Sequence, residues 1–255
     1  MKKGIALVLF VLMVAVSSSL AAPQPIIEYL FNETGTEATS SGAESISLNF
    51  YNAEGATDLH STEGGGVSGQ PGDRSFNNNL PHSGVAEMMP SEKLNPALSA
   101  FKSATWQGWF KFDKEPGNGS RIFDKYGNNY QVYYAVGGSL LLNIMNEKVR
   151  SENAYKKLKE WVYFAVTYDN TKSEDNVSFY VGTKTQPVEL VSTHTLNVAM
   201  RNNSMNLKIG GWSTTTARFT GHLDNIRLFG SKLDDSGVLS LEELEELRTT
   251  DLVFE

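Results

Sequence analysis

Phe219-Thr220-Gly221-His222-Leu223-Asp224-Asn225-Ile226-Arg227-Leu228-Phe229, with Leu239-Ser240-Leu241-Glu242-Glu243-Leu244 shortly after it, decides the fold. The alternation in the first segment predicts a strand with Asp224, Ile226 and Leu228 on one face. A carboxylate on the same side as two aliphatics of the buried type needs either hydrogen-bond donors or a metal. The second segment predicts a helix over 239–248. Ser240 caps it, and Glu243 three residues later completes a capping box. Leu241, Leu244 and Leu247 mark one helix face and the glutamates the other.

Upstream, strand signals are short and frequent. They fall at 26–31, at the alternating Ile46, Leu48 and Phe50, and at 106–112, 121–125, 131–136, 139–145, 161–168, 177–181 and 207–211. Gly137-Gly138 separates two of them as a two-residue hairpin turn. A turn or two of helix fits 91–101, interrupted by Pro96. Residues 34–79 are rich in Gly, Ser, Asn and Asp and read as an irregular edge connection with a strand inside. Many short strands and little helical periodicity predict an all-β chain, a two-sheet antiparallel β-sandwich of jelly-roll type with a short C-terminal helix. There is no internal repeat and no linker, so 23–255 is expected to be one domain.

Met1-Lys2-Lys3, the apolar run 5–16 and Ser17-Ser18-Ser19-Leu20-Ala21-Ala22 have the layout of a signal peptide, residues 1–22, cleaved after Ala21 or Ala22. The apolar run is short for a membrane span. The expectation is an exported protein with no span after cleavage: secreted, extracellular or cell-surface, or periplasmic. The 255 residues include no Cys, which removes disulfides and thiol catalysis. The net charge of −7 argues against nucleic acid and anionic membranes as partners.

Several segments, in order, carry a resemblance. They are Tyr29-Leu30-Phe31-Asn32-Glu33, Gly69-Gln70-Pro71-Gly72-Asp73-Arg74-Ser75-Phe76, the strand at 105–112, Ile122-Phe123-Asp124-Lys125, Ser139-Leu140-Leu141-Leu142, Phe179-Tyr180-Val181-Gly182, Leu207-Lys208-Ile209-Gly210-Gly211 and the closing motif. Trp161-Val162-Tyr163-Phe164-Ala165-Val166-Thr167-Tyr168-Asp169 is the best single match. Together they resemble the laminin G-like jelly roll of the concanavalin A-like lectin/glucanase superfamily, in its bacterial exported form. The resemblance implies the sandwich. It does not choose among the lectins, adhesion modules, hydrolases and lyases that share it. It also implies Ca²⁺ as a possible cofactor, held between an early loop and the Asp of a closing Gly-x-Leu-Asp motif, here Asp224. Relatives often carry an Asp near Thr39-Ser40-Ser41-Gly42, where this chain has Thr39. Glu28, Asn32 or Glu33 could compensate. The other reading gives Asp224 the backbone amides of a neighbouring loop as partners.

The chemistry is otherwise sparse. Residues 234–243 mimic half of an EF-hand loop, but its first ligand position falls on Lys232, a cation. No predicted strand carries the closely spaced alternating acids of a retaining glycosidase. His60, His82, His194 and His222 are scattered, and there is no Gly-x-Ser-x-Gly elbow. For sugar binding, Trp212 at a strand end is the candidate stacking platform, with Tyr126, Asn128 and Tyr130 of the turn 126–130 as further ligand-binding candidates. Trp106, Trp109 and Trp161 are assigned to the core. The sequence reads as a non-catalytic binding module for a polysaccharide or a surface glycoprotein. The alternatives are a carbohydrate-active enzyme with an unrecognised site and an adhesion protein that binds a cell-surface protein partner.

Overall fold

A computed structural model describes residues 22–254 apart from 80–83, 89–94, 116, 118, 126–128, 136 and 153–156. The expected leader therefore lies outside the described residues except for its last residue. The strands are β1 (Ile27–Tyr29), β2 (Glu37–Thr39), β3 (Ser47–Asn52), β4 (Gly55–Ala56), β5 (Phe76–Asn77), β6 (Gly84–Met88), β7 (Ser103–Lys111), β8 (Ser120–Lys125), β9 (Tyr130–Ala135), β10 (Ser139–Ile144), β11 (Glu147–Arg150), β12 (Val162–Asp169), β13 (Val177–Thr183), β14 (Glu189–His194), β15 (Leu207–Ile209) and β16 (His222–Ser231). One helix, α1 (Leu241–Thr250), follows them. Of the turn expected at 91–101, the described part is a 3-10 segment, Asn95–Leu98.

These strands form two antiparallel sheets. The first runs β1-β16-β7-β12-β13-β14, with β5 also paired to β16. The second runs β11-β10-β9-β8-β15-β6-β3-β2, with β4 on β3. Their facing sides meet in one apolar cluster. It takes Ile27, Tyr29, Ile226 and Leu228 from one sheet and Leu48, Phe50, Ile122, Val132, Leu142 and Ile209 from the other. Residues 34–79 supply β2 to β5, but they are more than the expected edge connection: β2 ends the second sheet, β3 lies inside it between β6 and β2, and the 64–73 loop packs over the first sheet.

The back of the first sheet is covered as well. Val67, Trp109, Trp161, Tyr163, Phe229, Leu239 and Leu244 form a second cluster beneath α1 and the 64–73 loop. The capping box is present: Ser240 Oγ accepts from Glu243 N at 3.2 Å, and Glu243 Oε2 accepts from Ser240 N at 2.7 Å. Leu244 is buried, but Leu241 is 41% exposed. Residues three apart are rotated about 60° short of a full turn, so a run of three leucines drifts off the covered face.

One expectation about β16 is corrected. Asp224 does not share a face with Ile226 and Leu228. Asp224 pairs with Trp109 and Arg227 with Gln107, so Asn225 and Ile226 together oppose Gly108. This is a β-bulge, and Asn225 takes the left-handed conformation it requires, with φ 48°. The extra residue reverses the side-chain alternation. Ile226 and Leu228 therefore point into the sandwich, while Asp224, Arg227 and Phe229 point to the helix side.

Candidate binding face

The outer side of the second sheet carries a continuous polar row. Register places Glu37 opposite Asn49, Asn49 opposite Glu87, and Glu87 opposite Lys208. Lys208 faces Asp124, which faces Gln131, which faces Asn143, which faces Lys148. One side chain from each of eight strands thus lies on a line about 34 Å long at the usual strand spacing. The apolar neighbours of these residues in each strand point inward, which leaves the outward positions polar.

The middle of the row is wired together. Lys208 Nζ lies 3.2 Å from Glu87 Oε2, and Asn206 Nδ2 donates to Glu87 Oε1 at 2.8 Å. Arg121 Nη1 donates to Asp124 Oδ2. Gln131 Nε2 donates to Asp124 Oδ1 at 3.1 Å, and Asn143 Nδ2 donates to Gln131 Oε1 at 2.7 Å. Burial pushes the Asp124 carboxyl above the usual carboxylate range, against the pull of Arg121, Gln131 and Lys208. Beside the row, Glu87, Lys208, Asn206, Met205 and Ser204 line a cavity of about 220 Å³.

Trp212 stands next to this row. β15 is followed by Gly210, whose φ is +79° and whose missing Cβ would fall 2.2 Å from the Phe76 ring. Only glycine turns the chain there, and the turn carries Trp212 outward. The loop closes with Phe219 N donating to Gly210 O at 2.9 Å. Lys208 Nζ donates to the Trp212 carbonyl at 3.0 Å, and the Arg121 guanidinium lies 5.8 Å from its ring centre. The Trp212 side remains 37% exposed.

The other expected sugar contacts fare differently. Tyr130 is corrected: it is fully buried, with its ring 5.1 Å from that of Trp106. It begins β9 with an inward side chain, so it belongs to the core. Tyr126 and Asn128 lie outside the described residues. Trp106, Trp109 and Trp161 are buried, as expected. Glu87, Asp124, Gln131, Asn143 and Lys208 were not singled out from the sequence. Each is a single polar residue in a different strand, and only the pairing register lines them up.

Asp224 is fully buried on the opposite sheet. Its Oδ2 accepts from Val67 N at 2.7 Å and its Oδ1 from Asn225 N at 2.8 Å. Burial and the nearby Asp73 hold its carboxyl well above the usual range. Asp73 in turn accepts from Ser68 N and Ser68 Oγ at 2.7 and 2.6 Å. The loop against Asp224 is therefore 64–73 and not the segment around Thr39. Residues 41–44 instead run along β1, with Ser41 N donating to Glu28 O. Among the described residues no three His, Cys, Asp or Glu side chains cluster as a metal site. Asp224 thus has the backbone amides of Val67 and Asn225 as its partners.

His222, on the same outer side as Asp224, is a satisfied hydrogen-bonding residue. Nδ1 lies 3.0 Å from Ser75 Oγ, which donates to Gly65 O. Nε2 lies 3.1 Å from Asn79 Nδ2. The Ser75 hydroxyl and the Asn79 amide set the tautomer: Nδ1 carries the proton and Nε2 accepts. Burial and Lys111 lower the His222 pKa to about 4.

With this geometry in hand, known proteins can be compared. Residues 90–238 match the model of the Concanavalin A-like lectin/glucanases superfamily, a laminin G-type family. The chain belongs to this family. No curated protein matches the sequence. Among solved structures it is similar to domain 4 of AbnA, an extracellular GH43 arabinanase from Geobacillus stearothermophilus, solved with arabinotriose. That match has a TM-score of 0.61 and 12% identity, and covers 89% of this chain and 99% of that one. It is also similar to the binding domain of botulinum neurotoxin DC in complex with rat synaptotagmin II, with a TM-score of 0.59, 10% identity, and 89% and 52% coverage. A botulinum neurotoxin type C structure, described with two ganglioside molecules, gives 0.55 and 11%, with 89% and 51% coverage. This chain spans about half the length of the toxin chains. At such identities the likeness is one of fold.

Proposed function

We propose that this protein is an exported, non-catalytic carbohydrate-binding module that holds a polysaccharide or surface glycoconjugate on the outer side of its second sheet. The observation that carries the reading is Trp212: a large aromatic, 37% exposed, held beside a row of fixed donors and acceptors. An aromatic plate beside directed polar groups is what a sugar ring needs, with one apolar face to stack and hydroxyls to orient. The arabinotriose complex of the similar arabinanase domain supports a sugar ligand. No helix among the described residues is long and apolar enough to cross a membrane.

Catalysis on this face meets a specific obstacle. Glu87 and Asp124 flank Lys208, about 10 Å apart by strand spacing, which is near the separation an inverting glycosidase uses. Lys208 stands on the strand between them and binds Glu87, and Asp124 is wholly buried. Lys208 therefore occupies the place between the two acids that an attacking water would need. Ca²⁺ remains a conditional proposal: if the protein takes the ion, Asp224 and Asp73 are the carboxylates for it.

A glycan array followed by calorimetry tests the reading. Trp212→Ala should lose about tenfold or more in affinity, as an aromatic hot spot does. Its denaturation midpoint should stay near that of the wild type, because the ring is part exposed. Binding that is indifferent to Trp212, or steady release of reducing ends by the wild type, would overturn it.

A further inference from the structure

The polar row has a direction. Asp124, when ionised, only accepts hydrogen bonds. Gln131 must therefore turn its nitrogen toward Asp124, as it does at 3.1 Å. Its oxygen then faces β10 and accepts from Asn143 Nδ2 at 2.7 Å. Asn143 has then used its donor side, and its Oδ1 is left over. That oxygen is buried, on a residue 3% exposed, and has no hydrogen-bond partner among the described residues. A buried acceptor without a partner is costly. Three residues, each fixing the next, thus hold an acceptor in place at the far end of the relay from Trp212.

We propose that Asn143 is a distal sugar contact, its Oδ1 accepting a hydroxyl of the ligand, so that the ligand is an internal stretch of a glycan chain laid across β15, β8, β9 and β10 and not a single terminal sugar. The inference rests on the binding reading above and deepens it. From Lys208, next to Trp212, to Asn143 there are three strand spacings, about 14 Å. One sugar ring does not cover that distance. The intervening side chains, Asp124 and Gln131, are buried and committed to each other. The chain therefore meets fixed groups at both ends and a closed polar floor between them. Lys148, opposite Asn143 on β11, is exposed and ends the row on that side.

The test is affinity against chain length. Arabino-oligosaccharides of two and six units are the first probes, and the same lengths of any other glycan retained on the array follow. For the wild type, affinity should rise from two to six units. Asn143→Leu, which keeps shape and removes the amide, should erase about threefold to tenfold of that gain at six units, the size of one hydrogen bond, and leave two units unchanged. Asn143→Gln, with the same group on a longer stem, serves as a second variant, and thermal melts confirm that both are folded. Affinity that depends on Trp212 but is flat with length and unmoved by both Asn143 variants overturns this inference and leaves the binding reading intact. Affinity indifferent to Trp212, or no glycan bound at all, overturns both.

Discussion

Asp251→Ala offers the sharpest perturbation of the covered sheet face. Asp251 ends α1, and its carboxylate reaches back into the sheet. Arg227 Nη1 and Nη2 donate to it at 2.9 and 2.7 Å, and Trp109 Nε1 donates to the same Oδ2 at 2.8 Å. Arg227 Nε donates to Glu28 at 2.5 Å. The Arg227 and Asp251 side chains are 6% and 2% exposed. Removing the acid leaves a buried guanidinium short of its main partner, a loss of about 3–5 kcal/mol. It also orphans a buried indole N–H, for about 1–3 kcal/mol more. These overlap, so a total of about 4–6 kcal/mol is expected. That is a large part of the stability of a typical domain, about 5–15 kcal/mol. Urea denaturation followed by tryptophan fluorescence reads it, since Trp109 sits at the contact. A cycle with Arg227→Met completes the argument: the double variant should be less destabilised than the sum of the singles by about 2–3 kcal/mol, because the stranded charge is gone. A loss below about 1 kcal/mol for Asp251→Ala, or strict additivity in the cycle, would refute the buried pair.

The remaining expectations concern protons and metal. The folded His222 pKa of about 4 lies below its ordinary value of 6.5, so the unfolded chain binds the extra proton first as pH falls. Stability is then full above pH 6.5 and declines toward pH 4, by at most about 3 kcal/mol. Urea midpoints measured across that window should fall less for His222→Gln, and equal slopes would reject the assignment. For Asp224, a Ca²⁺-dependent rise in melting temperature that vanishes in Asp224→Ala would establish the ion as its partner, since a ligand stabilises through the native state alone. The same Ca²⁺ response in both proteins would remove Asp224 as a ligand, and none in the wild type leaves Val67 and Asn225 as its partners.

The strands, the helix cap and the family were legible because they depend on neighbours in sequence. The alternation in 207–211 and 161–168, the Ser240–Glu243 box and the Trp106 and Trp109 core positions all follow from local periodicity and side-chain type. The face of Asp224 was misread because a bulge is one residue of slippage. Asn225 is a residue that tolerates the left-handed conformation, yet nothing in its neighbours says that it adopts it. Tyr130 was misread for a similar reason. A tyrosine at the mouth of a turn points outward or inward according to where the strand begins, and β9 begins on it.

The binding face itself divides between the two levels. Trp212 was visible from the sequence because Gly210-Gly211 before it and the Ser-Thr run after it announce a turn that pushes an aromatic outward. Asn143 was not, nor was the relay that aims it. Glu87, Asp124, Gln131, Asn143 and Lys208 are far apart along the chain and ordinary one by one. The sequence by itself determined that these strands would exist and which residues would alternate outward. Only the tertiary structure decided that five of those outward residues share one register line. Long-range pairing is set by how two whole sheets bury their apolar faces against each other, and no local pattern encodes that alignment.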